Sequence, residues 1–175
     1  MSTSTAPGVN NIAAAFLGEV EQESATTRKV LERVPADKFD WKPHEKSMTF
    51  SRLATHVAEM HGWTKHTLDF PELDFSKMDY KPFEPKTTAE LVEHFEKSLS
   101  EARESLKGAS DETFMEDWTM RNGEQIYFTM PKIQVLRGMV FNHIVHHRAQ
   151  LSVYLRLNDI PVPAMYGPSA DEGSM

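Results

Sequence analysis

Ten prolines set the limits on how this chain can fold. They fall at 7, 35, 43, 71, 82, 85, 131, 161, 163 and 168, leaving the windows 8–34, 44–70, 86–130 and 132–160 free of proline. A proline inside a helix deletes a backbone hydrogen bond and clashes with the preceding turn, a cost of about 3 kcal/mol or more. The four windows are therefore where long helices can form. In the first, Ile12, Phe16, Val20, Thr27, Leu31 and Val34 recur at helical spacing, which predicts a helix over 10–34. In the second, Phe50, Leu53, Val57, Met60 and Trp63 predict a helix over 49–68. The third opens with Thr87 and Glu90 in capping-box spacing, continues through Leu91, Phe95, Leu99, Ala102 and Leu106, and meets Gly108, where a C-terminal glycine belongs. The fourth places Pro131 in its first turn and carries Leu136, Val140, Ile144, Leu151, Tyr154 and Leu155 on one face, ending near Asn158 and Asp159.

Four amphipathic helices without an alternating strand–helix pattern predict an all-α four-helix bundle, one domain over 1–175 with 1–9 flexible. Between the third and fourth helices, Asn122-Gly123 separates two runs of strand-forming residues, which predicts a short β-ribbon or ordered loop. The stretch 70–85 reads as a long linker rich in proline and aromatics, and the tail 161–175 as extended.

Composition removes several functions. The chain is acidic, with net charge −7, and lacks the basic stripe of a non-specific nucleic-acid binder. It contains no cysteine, so there are no disulfides, thiolate ligands or Cys nucleophiles, and any metal site must use His, Asp or Glu. No stretch approaches the ~18 apolar residues of a membrane span. The first residues lack a basic region followed by an apolar core, so a cytoplasmic protein is expected. No GxSxG, phosphate-binding loop or HExxH pattern occurs, and Glu59 has no histidine at 62 to complete a di-iron motif.

The chemistry lies in the histidines. His143 and His147 are four residues apart on the face that carries Val140, Ile144, Leu151 and Tyr154, so they project side by side from the fourth helix. Two imidazoles one turn apart form a two-ligand platform for a metal, and a third ligand should come from another helix. His56 is the candidate, because Leu53, Met60 and Trp63 place it beside an apolar stripe where an unpartnered ring is costly. His61 and His66 lie further round that helix, nearer solvent. Glu59, three residues from His56, could hold its other ring nitrogen but reads as an exposed helix glutamate. Arg148 reads as structural, holding the tail through Asp171 or Glu172. Asn142 and His146 flank the pair, Gln150 follows it, and Tyr154 reads as core. The competing reading is a bundle whose histidines simply pack.

Leu53-x-x-His56-Val-Ala-Glu59, His143-x-x-x-His147-Arg148-x-Gln150 and the tail segments 153–163 and 166–172 together resemble the DinB-like family of helical metal-binding proteins over about 39–172. The resemblance implies a bundle in down-up-up-down order, frequent homodimers, and a three-histidine divalent-metal site, placed here on His56, His143 and His147. Some relatives are thiol transferases that use bacillithiol or mycothiol, while many have no known substrate. Three neutral imidazoles would leave an ion its full charge and an open position, the arrangement of catalytic sites. The expectation is thus a metal-dependent S-transferase or hydrolase for a small molecule, with zinc first and nickel second, and a low-molecular-weight thiol or water as nucleophile. The alternative is a non-catalytic, stress-associated protein that binds a metal or small ligand. The sequence names no catalytic side chain beyond the ligands.

Overall fold

A computed structural model describes residues 11–173. The expected flexibility of 1–9 lies outside those residues. The described chain is mostly helical and carries a small three-stranded sheet. In order it forms α1 (Asn11–Leu31), α2 (Phe50–Glu59), α3 (Gly62–Asp69), β1 (Glu72–Asp74), α4 (Thr88–Gly108), α5 (Asp111–Met115), β2 (Asp117–Asn122), β3 (Gln125–Pro131), α6 (Lys132–Val135), a π-helical segment (Leu136–Phe141) and α7 (Asn142–Leu157).

The helical stripes read from the sequence meet in one core. Phe16 and Val20 of α1, Phe50, Leu53 and Val57 of α2, Phe95 and Leu99 of α4, and Ile144, Leu151 and Leu155 of α7 are all buried in it. Removing a side chain of this size from water contributes about 1.5–3 kcal/mol, so these stripes account for most of the drive to pack α1, α2, α4 and α7 together. Local signals set the helix starts. The Thr49 hydroxyl accepts from Arg52 N–H, and the Thr87 hydroxyl from Glu90 N–H. The Glu90 carboxylate takes Lys86 N–H instead of the Thr87 N–H that a full capping box would use. Gly108 ends α4 as its last helical residue, without the positive φ of a glycine cap.

Two of the expected helices are interrupted. The helix expected over 49–68 is divided at Met60 and His61, although both keep right-handed helical dihedrals. Trp63 N–H bonds to Met60 C=O and Thr64 N–H to His61 C=O, so the backbone tightens there to i→i+3 bonding. The fourth helix does the reverse. Its second turn loosens into the π segment, where Asn142 N–H reaches Arg137 C=O, five residues back. Pro131 stands before the helix rather than in its first turn, closing β3.

The linker expected over 70–85 contributes a strand. β1 pairs parallel with β2, and β2 antiparallel with β3, so β2 is central. Leu73, Trp118, Met120 and Val135 form a second, smaller core beneath this sheet. The hairpin turn is the pair Gly123–Glu124, one residue later than the Asn-Gly dipeptide suggested, because Asn122 still pairs with Gln125. Gly123 has φ of 60°, where a side chain is strained. Asp74 accepts from Gly123 N–H at 2.9 Å and ties the turn to β1. The tail is folded back rather than extended. Asp171 accepts from Val162 N–H and pairs with Arg156, and Glu172 accepts from Ala164 N–H and pairs with Arg33.

Candidate metal centre

α2 and α7 bring His56, His143 and His147 to one point. One ligating nitrogen from each ring lies within 4.8 Å of the other two. His143 Nε2 is 2.8 Å from His147 Nε2 and 3.4 Å from His56 Nε2. His147 is buried, and the other two rings are half-buried.

Each ring is held from behind. His56 Nδ1 faces Glu59 Oε1 at 3.4 Å, His143 Nδ1 faces the Met139 carbonyl at 3.2 Å, and His147 Nδ1 faces Gln150 Oε1 at 2.7 Å. All three partners are acceptors. Hydrogen on each Nδ1 would satisfy them and leave each Nε2 available as a ligand atom, with His143 Nε2 between those of His56 and His147. Three imidazole nitrogens turned towards one point are a ligand set that suits a divalent cation. Tetrahedral ligation at ~2.0–2.1 Å would set ligand nitrogens about 3.3 Å apart. The two separations from His143 straddle that value and the His56–His147 pair is wider, at up to 4.8 Å, so the three residues could hold a metal ion with a small closing of the His56 ring towards His147.

The electrostatics agree. Burial lowers the pKa of His143, helped by the neighbouring rings of His56 and His146 and opposed by its bond to Met139. Burial carries His147 down to about 4, against the bond from Gln150 and with the help of the surrounding histidines. Both are neutral near pH 7, as ligation requires. Burial alone would raise Glu59. Its hydrogen bonds from His56 and Tyr80 and the charge of Arg52 overcome that and hold it below the usual carboxylate range. It stands ionised behind His56.

The three rings meet as their spacing implies, and some of their neighbours stand differently from expectation. Glu59 is not an exposed helix glutamate. Its side chain is 14% exposed and receives Arg52 at 3.2 Å and Tyr80 O–H at 2.8 Å as well as His56. Arg148 is structural as expected but is 1% exposed, and it bonds Glu23 and Thr27 of α1 and Tyr166 of the tail, not Asp171 or Glu172. His61 is fully buried, with neither ring nitrogen partnered. His66 is half-buried on α3, away from the cluster. Asn142 and His146 are exposed, and Gln150 Nε2 is 3.1 Å from His146 Nε2. Tyr154 is core, its hydroxyl donating to the Met48 carbonyl at 3.2 Å. The Met139 carbonyl and Tyr80 had no signal in the sequence. Glu59 and Gln150 had one, since each sits three residues after a clustered histidine.

A cavity of about 370 Å³ reaches the cluster, with His147, Gln150, Leu53, Tyr154, Met48 and Lys46 in its wall. A larger one of about 680 Å³ lies between α1 and the π segment, lined by Phe16, Ile133 and Arg137. Among the described residues its only charged group is Arg137, already paired with Glu19, so they give it no comparable chemistry.

Comparison with known proteins identifies a family and a fold. The model of the DinB family matches residues 1–174. A DinB-like protein from Bacillus cereus ATCC 10987 superposes with a TM-score of 0.66 at 21% identity, over 87% of this chain and 97% of that one. A DinB-like protein from Bacillus subtilis superposes with a TM-score of 0.65 at 17% identity, over 88% and 96%. At these identities the likeness is one of fold. Curated proteins give no match. Among the described residues no helix is long and apolar enough to cross a membrane.

Proposed function

The chain belongs to the DinB family, and we propose that it is a metal-dependent enzyme in which His56, His143 and His147 hold one divalent ion, zinc first and nickel second. The observation that supports this is the convergence of three imidazole nitrogens, each ring with an acceptor behind its Nδ1. A bound ion would lower the pKa of a thiol or water and make it a nucleophile at neutral pH. The chain has no cysteine, so a reacting thiol belongs to the substrate, and a low-molecular-weight thiol is the favoured one. The protein's own residues orient the site. Glu59, the Met139 carbonyl and Gln150 fix the ring tautomers, and the 370 Å³ cavity admits a small molecule beside His147. Lys46 in that wall offers a positive charge to an acidic substrate group. The same reading takes the whole chain as one domain, in down-up-up-down order, acting in the cytoplasm as a homodimer.

Elemental analysis of untagged protein purified without chelator tests the centre. About one divalent ion per chain, lost in both His56→Ala and His143→Ala, is expected. Protein that is metal-free and binds neither zinc nor nickel tightly would withdraw the proposal. Conjugation of an electrophile with bacillithiol or mycothiol, abolished by His147→Ala, is expected of the transferase. Saturable ligand binding without product would leave a non-catalytic binding protein. Light scattering at micromolar concentration checks the dimer.

A further inference from the structure

Residues 78–83 of the connection between β1 and α4 lie as a strap over Glu59 of α2, over α3 and over His94 and Ser98 of α4, with a cavity of about 280 Å³ beneath them. The main chain barely holds this strap. Met78 N–H bonds to Phe75 C=O, and among the described residues no other backbone-to-backbone hydrogen bond is made over 78–83. Pro82 has no N–H to offer. Every residue over 78–83 is exposed. A stretch with so few buried contacts opens at little cost. Two side-chain clasps hold it instead. Phe83 stacks on His94, with centroids 4.4 Å apart and planes 16° apart. Tyr80 O–H reaches both oxygens of Glu59, at 2.8 and 2.9 Å. Burial and the bond to Glu59 hold the Tyr80 phenol above its ordinary pKa, so it keeps the hydrogen it donates.

Glu59 joins the second clasp to the candidate metal centre. Its Oε1 also lies 3.2 Å from Arg52 Nη1 and 3.4 Å from His56 Nδ1. N–H···O bonds run ~2.7–3.2 Å, so the contact to His56 is long while those from Tyr80 are of full strength. The hydroxyl therefore does most to set where the carboxylate lies, and the carboxylate lies behind His56. Acceptors behind metal-bound histidines are worth about 10–100-fold in metal affinity. A ring that gives its Nε2 to a cation becomes a stronger donor at Nδ1 and orders the same carboxylate that Tyr80 orders. Whichever of ion and strap orders it first leaves less freedom for the other to remove, so the two help one another.

We propose that Tyr80 is a positioning residue for the metal centre, holding Glu59 behind His56 so that closure of the 78–83 strap and occupation of the three-histidine site favour one another. This coupling rests on the metal site proposed above and adds a regulation to it. Coupling of this kind is reciprocal, so strap and ion change one another's hold by the same factor. Chelator-treated, full-length parent, Tyr80→Phe, Glu59→Ala and the double variant are titrated with zinc against a chromophoric chelator. Chymotryptic cleavage after Phe83 is followed with and without zinc. Tyr80 is exposed and loses one hydroxyl, so Tyr80→Phe keeps its fold, and thermal melts check all the variants. Expected is a zinc Kd raised about fivefold or more in Tyr80→Phe, with no further rise when Tyr80→Phe is added to Glu59→Ala. Zinc should slow the cut in the parent by a similar factor and leave it unchanged in Tyr80→Phe. A Tyr80 that merely covers the helices would have the same effect in both backgrounds. A Tyr80→Phe Kd equal to that of the parent, an equal loss in both backgrounds, or cleavage of the parent that ignores zinc would each overturn the coupling. A parent that binds no zinc withdraws the metal site and the coupling with it, whereas zinc binding that ignores Tyr80→Phe overturns the coupling alone.

Discussion

Gln150 isolates one contribution to the candidate metal centre. Its side-chain oxygen accepts from His147 Nδ1 at 2.7 Å, and the residue is exposed. Exposed substitutions away from special features change stability by about 0.5 kcal/mol or less, so Gln150→Ala should leave the fold intact; it removes the bond behind His147 together with the Nε2 contact to the exposed His146 ring. With the bond gone, the hydrogen can move to Nε2 or the ring can turn, and either blocks a ligand position. Partners behind metal-bound histidines are worth about 10–100-fold in metal affinity, which is about 1.4–2.7 kcal/mol at 1.36 kcal/mol per decade. Competition against a chromophoric zinc chelator, with metal-free protein at fixed pH and ionic strength, reads this directly. The zinc Kd of Gln150→Ala should rise 10–100-fold while the melting temperature stays near that of the parent. Gln150→Glu keeps an acceptor and adds a negative charge, so it should bind at least as tightly as the parent. A Kd for Gln150→Ala within twofold of the parent, or a Gln150→Glu weaker than Gln150→Ala, would refute the reasoning that the ring is positioned from behind.

Three further outcomes follow from other parts of the structure. Burial brings His61 down to about 4, with Arg103 of α4 and Arg148 of α7 also disfavouring its charge and Glu23 of α1 favouring it. A pKa lowered on folding stabilises the native state above the unfolded value of ~6.5 and loses that stability as pH falls from there towards 4, on the order of 2 kcal/mol by pH 5. Urea unfolding at pH 7.5 and 5.0 should show His61→Leu losing less than the parent, and equal losses would count against it. Glu23→Ala leaves the Arg148 charge buried without its carboxylate partner and should cost about 3–5 kcal/mol, whereas Arg148→Met with Glu23→Leu together should cost far less; additive losses in denaturant titration would contradict this. A Cβ at Gly123 meets Ser76 no closer than 3.9 Å, so Gly123→Ala is strained only by its φ and should lose about 1–2 kcal/mol, with Gly123→Asn losing less; an Ala variant as stable as the parent in thermal melts would sink that account.

The helices were legible because burial in this protein is amphipathic and proline marks their limits. Phe16 and Val20, Leu53 and Val57, and Leu91, Phe95 and Leu99 are all in the core, as their spacing required. The sheet was half legible. Asn122-Gly123 announced the hairpin, whereas β1 is only three residues, Glu72–Asp74, with Pro71 immediately before it. Its strand state comes from pairing with β2 and from the burial of Leu73 against Trp118, neither of which is a local property. The fold of the tail was hidden for a similar reason. Asp171 and Glu172 are ordinary surface acids until the chain turns back and offers them Val162 N–H, Ala164 N–H, Arg156 and Arg33.

For the site, the deciding factor is where each residue lies relative to the two irregularities in its helices. A regular helix turns about 100° per residue, so losing or gaining one residue in the hydrogen-bond register turns everything beyond it by about that angle. His56 and Glu59 both precede the tightening at Met60 and His61, and His143, His147 and Gln150 all follow the π segment. Their mutual spacing is therefore that of an unbroken helix, and the sequence could place the cluster. His61 lies at the break, where a wheel drawn from His56 no longer applies, and the ring expected near solvent is fully buried. Met139 lies inside the π segment, where the helix is wider than the sequence implies, and its carbonyl is the acceptor behind His143. Glu59 was obscured by chemistry rather than by geometry. A carboxylate beside an apolar stripe reads as solvated unless the strap that covers it is known, and Tyr80, twenty-one residues on, covers it.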